Sequence, residues 1–357
     1  MSNIDFLYEQ SVECLKKLIA IPSLSREEDA TATFLAAFLQ KNDIKTERLM
    51  NNVWAKNLHF DENKPTILLN SHHDTVKPNP QWTFNPFEPV VQDGKLYGLG
   101  SNDAGASLVS LMATFIYFYT QQNLAYNLIF AATAEEEISG KNGIEALLPQ
   151  LGKIDFAIVG EPTEMNLAIS ERGLMVLDCE AQGKAGHAAR NEGINAIYKA
   201  IEDIYWFQYY QFPTKETTNP VKMSVTIIQA GSQHNVVPDS CRFTVDVRTG
   251  GGYSNEEVLE IIKKNVRCHV TPRSLRLNSS YIPETHPFVQ IALEIGKQTF
   301  HSPTLSDQAL MPFTSVKIGP GFSGRSHTAD EFIYLSEIEN GINDYITILK
   351  KMLTVQT

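Results

Sequence analysis

The chain is short of cysteine and of long apolar runs, and each shortage excludes a class of protein. Its four cysteines, Cys14, Cys179, Cys241 and Cys268, lie far apart and form no paired motif. That argues against a disulfide framework and against a thiolate zinc site, and reduced thiols fit a cytoplasmic protein. No apolar run reaches the ~20 residues of a bilayer-spanning helix. The N-terminus lacks the basic segment and apolar core of a signal peptide. Positive charge is scarce as well, with 30 Lys and Arg against 41 Asp and Glu and a net charge of −11. Such a chain is a poor partner for nucleic acid or an anionic membrane. A third glycine is missing too. Gly98-x-Gly100 begins like a dinucleotide loop, but Asp103 stands where the last glycine belongs, which argues against a nucleotide-dependent oxidoreductase.

What the chain does have is a series of short apolar runs that empty into polar residues. At 357 residues, with 43% hydrophobic and 20% charged content, it is an ordinary globular chain long enough for two domains. Ile67-Leu68-Leu69 follows Pro65, is too short for a helix, and reads as a buried strand. It leads to His72-His73-Asp74, an imidazole with a carboxylate two residues on. A neutral imidazole is a common metal ligand, and a carboxylate often orients such a ring. Leu128 to Ala132 leads to Glu135-Glu136-Glu137, and Phe156 to Val159 leads to Gly160-Glu161. Singly, an acid after a strand is a solvated turn or a helix start. Repeated after three strands, these side chains fall where open α/β sheets place their active sites, outside the carboxyl ends of the strands. Asp103, in a Gly-rich turn, and His327, in the polar loop Gly324 to Glu331, complete a set of nitrogen and oxygen donors without thiolate. Such donors suit catalytic zinc, and one carboxylate bridging two cations makes a two-metal hydrolytic centre.

The same stretches carry a resemblance. Ser71-His72-His73-Asp74-Thr75-Val76, Tyr97-Gly98-Leu99-Gly100-Ser101-Asn102-Asp103, Thr133-Ala134-Glu135-Glu136-Glu137, Gly160-Glu161-Pro162-Thr163, Gly186-His187-Ala188 and His327 to Glu331 span nearly the whole chain. In that order they resemble the zinc aminoacylase and metallopeptidase family of acetylornithine deacetylase, succinyl-diaminopimelate desuccinylase, carboxypeptidase G and aminoacylase. The resemblance implies that His72 and Glu161 hold one zinc ion and Glu137 and His327 a second. Asp103 bridges the two, Asp74 supports His72, and cobalt substitutes for zinc. It makes Glu136 the base that takes a proton from water and returns it to the leaving amine. Glu135 has a supporting part, at a position where relatives often carry Asp. His187 is by itself a surface histidine; the resemblance has it reach a partner subunit's active site and bind the oxyanion, which makes a homodimer necessary. Asn235 and Arg248 look like residues that hold substrate, the guanidinium on an α-carboxylate. An ion pair at the rim stands beside that reading of Arg248.

The architecture expected is α/β, with helices on a central mixed sheet in a catalytic domain formed by residues 1–173 and 285–357. Apolar positions Phe6, Leu7, Val12, Leu15, Leu18 and Ile19 predict a first helix, ended by Pro22. Ser25 and Glu28 predict a capping box that opens a helix through about Leu39. Residues 105–119 predict a helix that is apolar on most faces. From Leu174 the residues alternate, with Met175, Leu177, Cys179 and Ala181 on one face. A helix near 194–209, strands near 222–229 and 241–248, a helix near 256–266 and a last strand near 274–278 follow. That βαββαβ order is an inserted ferredoxin-like lid and dimerisation domain, at 174–284.

Substrate identity is less legible. The desuccinylase branch usually carries Arg-Arg-Gly where this chain has Glu171-Arg172-Gly173, and Ala104-Gly105-Ala106 replaces the family's common Met-Lys-Gly. The expected substrate is a small N-acyl amino acid, most simply N-acetylornithine, cleaved to ornithine for arginine synthesis. N-succinylornithine and N-acetylcitrulline are alternatives, as is a dipeptidase or carboxypeptidase activity. A non-catalytic binding protein on the same fold predicts a lost ligand or base, and every one of these residues is present.

Overall fold

Apolar runs too short for a helical stripe become the middle of a sheet. The computed structural model describes residues 3–190, 192–213, 215 and 219–354. These form two compact units. One comprises the residues up to Ile169, with Tyr281–Phe300 and those from Ser306 on; the other comprises Ser170–Ser280 and His301–Leu305. The short return segment His301–Leu305 had no signal in the sequence.

Seven of the nine strands of the main sheet lie side by side in the order Glu47–Leu49, Asn52–Lys56, Asn127–Thr133, Thr66–His72, Phe156–Val159, Ser315–Lys317 and Leu167–Glu171, and the short strands Ser280–Tyr281 and Thr299–Ser302 pair with the last of them. The four inner strands, from Asn127–Thr133 to Ser315–Lys317, are mutually parallel, and the outer pairings among the seven are antiparallel. Every residue of Thr66–His72 and of Asn127–Thr133 is buried, as expected where helices cover both faces of a parallel sheet. Ile67 and Leu69 pack with Leu108, Val109, Leu111 and Phe115 of helix Ala106–Phe118 and with Ile342, Tyr345 and Ile346 of helix Leu335–Leu353. Leu68, Ile129 and Ala157, pointing the other way, pack with Ile144, Leu147 and Leu151 of helix Ile144–Leu151. The parallel strands therefore share one carboxyl edge, and the site lies along it.

The smaller unit is a four-stranded antiparallel sheet ordered Lys222–Ala230, Ser240–Thr249, Gly173–Gln182, His269–Pro272. With helices Ala196–Tyr209 and Asn255–Asn265 it has the βαββαβ order and antiparallel pairing of a ferredoxin-like unit. Met175, Leu177, Cys179 and Ala181 face its core with Phe207, Val258 and Ile262. The opposite face of that strand is part-exposed or exposed. Its fourth strand is His269–Pro272 and not 274–278; there the Asn255 side chain donates to the carbonyls of Leu275 and Leu277 at 3.1 and 2.8 Å, and Leu277 makes an isolated antiparallel bridge to Leu174. Among the described residues no helix is long and apolar enough to cross a membrane.

Candidate metal centre

His72 is the last residue of its strand, Glu161 follows Val159 by two residues, and the three glutamates follow Thr133. Their side chains converge. His72 Nε2 lies 3.3 Å from Asp103 Oδ1, 3.7 Å from Glu161 Oε1 and 3.9 Å from Glu136 Oε2. His327 Nε2 lies 3.0 Å from Glu137 Oε2 and 3.7 Å from Asp103 Oδ2. The two oxygens of Asp103 thus face two different imidazoles. His72, Asp103 and Glu137 offer donor atoms all within 4.8 Å of one another, and so do His72, Glu136 and Glu161. His72 Nδ1 lies 3.0 Å from the Asp74 carbonyl. A carbonyl only accepts, so the ring hydrogen sits on Nδ1 and Nε2 is left to face the cluster.

Irregular backbone makes neighbours in sequence diverge in space. Glu135 (φ 57°) and Ser139 (φ 47°) hold left-handed conformations on either side of the short turn Glu136–Ile138. Few residues besides glycine adopt these angles, and they concentrate at functional sites. The result is that Glu136 faces His72 while Glu137 faces His327. Gly100, at φ 75°, opens the tight bend that presents Asp103, which Gly105 N closes by donating to Gly100 O at 3.0 Å.

A ring of further buried acids holds these loops, and most of it was invisible in the sequence. Asp74, expected to support His72, lies 3.4 Å from its Nδ1. The Asp74 carboxylate also accepts from Glu136 N and Glu137 N at 3.0 and 3.2 Å and from Ser25 Oγ at 2.7 Å. The Ser25–Glu28 capping box is therefore absent. Ser25 is drawn to Asp74, while Glu28 accepts from Arg26 N and Glu135 N and from the Asn51 amide. Glu135 in turn is held by Asn142 through backbone N and side-chain amide. Asp307 accepts from Asn70 Nδ2 at 2.8 Å and Thr133 Oγ1 at 2.7 Å, joining the two strands that deliver His72 and the glutamates.

The charges decide what the cluster can hold. Burial, joined by Glu161, Asp307 and Glu137, pushes Glu136 well above the usual carboxylate range against the pull of His72. Burial likewise raises Glu161 and Glu137. Burial works against a charged His72, but Asp103, Asp74, Glu136 and Glu161 outweigh it and raise the ring well above its ordinary value. Glu137 and Asp103 lift His327 to about 9. Carboxylates that hold protons reluctantly released, around imidazoles that hold theirs, are groups short of positive charge. Hard oxygen donors with two imidazoles and no thiolate fit divalent cations of the zinc type, so the residues present suit a metal centre.

The remaining site candidates lie in the smaller unit. His187 is exposed, its Nδ1 accepts from Ala189 N at 3.2 Å, and its short strand Gly186–His187 pairs with Val236–Val237. Ala188 N donates to Asn235 O at 3.1 Å, so His187 and Asn235 are held side by side. Arg248 forks onto Asp246, with Nε and Nη2 at 2.8 and 3.1 Å. The two side chains form an ion pair within the smaller unit.

Comparison with known proteins points the same way. The chain is 29% identical over 270 residues to a succinyl-diaminopimelate desuccinylase of Wolbachia pipientis subsp. Culex pipiens, covering 71% of this chain and 67% of that one. It is 26% identical over 367 residues to the desuccinylase of Orientia tsutsugamushi, covering 94% and 91%. In fold it is similar to an aminopeptidase from Bacillus cereus, with TM-score 0.74, 17% identity and 96% and 98% of the two chains covered. A Bacillus subtilis protein described as a dinuclear metal-binding peptidase matches with TM-score 0.71 at 18% identity, over 98% and 99% of the chains. Residues 68–351 match the family described as Peptidase family M20/M25/M40, and they include every donor of the cluster. A metal-dependent hydrolase family thus accounts for the sheet, the loops at its carboxyl edge and the acids gathered there, and the chain belongs to peptidase family M20/M25/M40.

Proposed function

We propose that the chain is a two-metal amide hydrolase that removes the acyl group from an N-acyl amino acid, with N-acetylornithine as substrate and ornithine and acetate as products. One observation carries the metal-centre part of this reading. Asp103 presents Oδ1 to His72 and Oδ2 to His327, the disposition of a bridging carboxylate. His72, Glu161 and Asp103 would hold one cation, and Glu137, His327 and Asp103 the other, with zinc suited to the donor set and cobalt able to replace it. Bound there, divalent cations polarise an acyl carbonyl and acidify water.

The chain's own residues do the rest. Glu136 stands beside the ligands, 3.9 Å from His72 Nε2, and its burial raises the affinity of its carboxylate for a proton, which suits a group that must accept one and release it. It takes the proton of the attacking water and gives it to the leaving nitrogen. Asp74 fixes the backbone of Glu136 and Glu137, so the base and its neighbouring ligand keep their separate directions. We assign His187 of a second copy to the oxyanion, and Asn235 and Arg248 to the substrate; Arg248 must release Asp246 to do so.

A homodimer through the inserted unit is supported by an exposed apolar surface. Tyr198, Ile201, Tyr205 and Tyr209 are exposed at helical spacing on Ala196–Tyr209, and Ile227 and Ile228 on the edge strand Lys222–Ala230. Unpaired apolar edges of this kind are sites of strand pairing between copies.

A second reading, hydrolysis of N-succinyl-diaminopimelate, is favoured by the names of the sequence relatives. Glu171-Arg172-Gly173, lacking one arginine, favours the first. The deciding assay compares kcat/KM of the zinc-loaded protein on N-acetylornithine, N-succinylornithine, N-acetylcitrulline and N-succinyl-diaminopimelate. Preference for N-acetylornithine is expected; turnover of the succinylated diaminopimelate alone defeats that choice, and turnover of none of the four defeats the deacylase reading.

A further inference from the structure

Glu331 is almost completely buried, at 2% exposure, yet it is not a donor of the cluster. Its Oε1 accepts from Asn102 N at 2.8 Å and Asp103 N at 2.9 Å, and its Oε2 accepts from Gly100 N at 3.2 Å. Its own carbonyl accepts from Gly98 N at 3.0 Å. One side chain thus gathers the amides of the bend from which Asp103 hangs. Four residues earlier on the same loop stands His327.

The other end of that loop is fastened to the same bend. Asn102 Oδ1 accepts from Phe322 N at 3.1 Å, and Asn102 Nδ2 donates to Phe322 O at 3.2 Å. Gly321, at φ 95°, makes this approach possible, since a Cβ there would meet Asn102 Oδ1 at 2.5 Å. Next to Glu331, Asp330 accepts from Thr83 N, Phe84 N and Thr83 Oγ1, so it holds a different loop. Residues 321–331 are therefore pinned at both ends to residues 98–103, and His327 lies between the pins.

We infer that Glu331 is a positioning residue that fixes the distance between His327 and the bridging carboxylate of Asp103, and so determines whether the second cation site is complete. The inference rests on the metal-centre reading above. Glu331 touches neither cation nor substrate; it acts through the backbone of Asp103 and through the loop it shares with His327. A carboxylate is suited to this because all three groups it meets are N–H donors. Glutamine of the same shape would turn an NH2 towards at least one of them, setting donor against donor.

The test compares wild type, Glu331→Gln, Glu331→Asp and His327→Ala as full-length protein, titrated with Co2+ after chelation. Stoichiometry, the affinity of each step and the visible absorption of the bound cobalt are read, alongside thermal unfolding of each metal-free protein. Wild type is expected to bind two ions. E331Q is expected to keep the first and to hold the second about 10- to 100-fold more weakly. At low loading its spectrum should resemble that of H327A, and its metal-free form should still unfold cooperatively, at a temperature lowered by the unpaired donors. E331D, which keeps the carboxyl group with a shorter reach, should fall between. Two ions bound by E331Q with wild-type affinity and spectrum overturn the inference while leaving the metal centre standing. If E331Q does not fold, E331D decides by the same readings, and unaltered binding there overturns the inference. A wild-type chain that binds no pair of ions removes the metal-centre reading and this inference together.

Discussion

Several acidic residues of the two units are used in opposite ways, although Asp203 of the smaller unit is also buried and accepts from Arg267 N and Cys268 N at 3.0 and 2.9 Å. In the smaller unit Asp178 and Glu180 stay at the surface, where Arg273 and Arg242 approach them. In the larger unit Glu28, Asp74, Asp307 and Glu331 go inside and are met by backbone amides, hydroxyls and amide side chains, with Ser25, Asn51, Asn70 and Thr133 among the donors. Exposed ion pairs add little to stability because water screens them and ordering the side chains offsets the gain. A buried acid costs stability unless it is fully bonded. The larger unit accepts that cost along the edge where its loops must be held in unusual shapes. Its buried acids are the scaffold of a site, whereas the exposed ones of the smaller unit keep a surface wet.

That contrast can be broken or sharpened by experiment. Chelation should have the largest effect, abolishing hydrolysis while leaving the larger unit folded. Activity should return with zinc, and far-ultraviolet circular dichroism before and after checks the fold. Glu136→Gln should come next, with both ions bound and kcat lowered by about 10²- to 10⁴-fold, the usual worth of a general base. A near-normal kcat would mean the base is another group. Asp74→Asn should lower kcat/KM by about 10- to 100-fold, as loss of a partner behind a ligand typically does. Its readout is steady-state kinetics beside metal content. Wild type is expected to sediment as a dimer and Ile228→Lys, on the edge strand of the smaller unit, to shift it towards monomer; an unchanged mass would remove that edge as the contact. Asp178→Asn should do least, leaving activity and melting temperature within error; a clear loss there would erase the distinction between the two units.

How much was readable in advance follows from the range of each interaction. The strands and the donors at their ends declare themselves locally, because an apolar run and the residue that follows it are neighbours in sequence. The alternation of Met175, Leu177, Cys179 and Ala181 did the same for the smaller sheet. The supporting acids left no such trace. Glu331 bonds to Asn102 across 229 residues, Asp307 to Asn70 across 237 and Glu28 to Glu135 across 107. Backbone amides accept any sequence, so nothing at Gly100 or Asn102 marks them as partners. Ser25 and Glu28 show the converse, where a sound local pattern was overridden by stronger partners farther along the chain. The pattern does hold at Ser254 and Glu257, where among the described residues Lys215 on the glutamate is the one competitor that bonds either side chain.

The placement of the donors on separate strand ends and loops also bears on biogenesis. His72, Asp103, Glu137, Glu161 and His327 are spread over most of the polypeptide, and parallel pairing of distant segments is slow to form. A cation has nothing to seize until that topology is complete, so it cannot serve as a nucleus around which the nascent chain collapses. On the metal-centre reading, the metal-depleted chain should therefore fold into an apo form ready for late loading, and metal-free refolding should yield native circular dichroism and not aggregates.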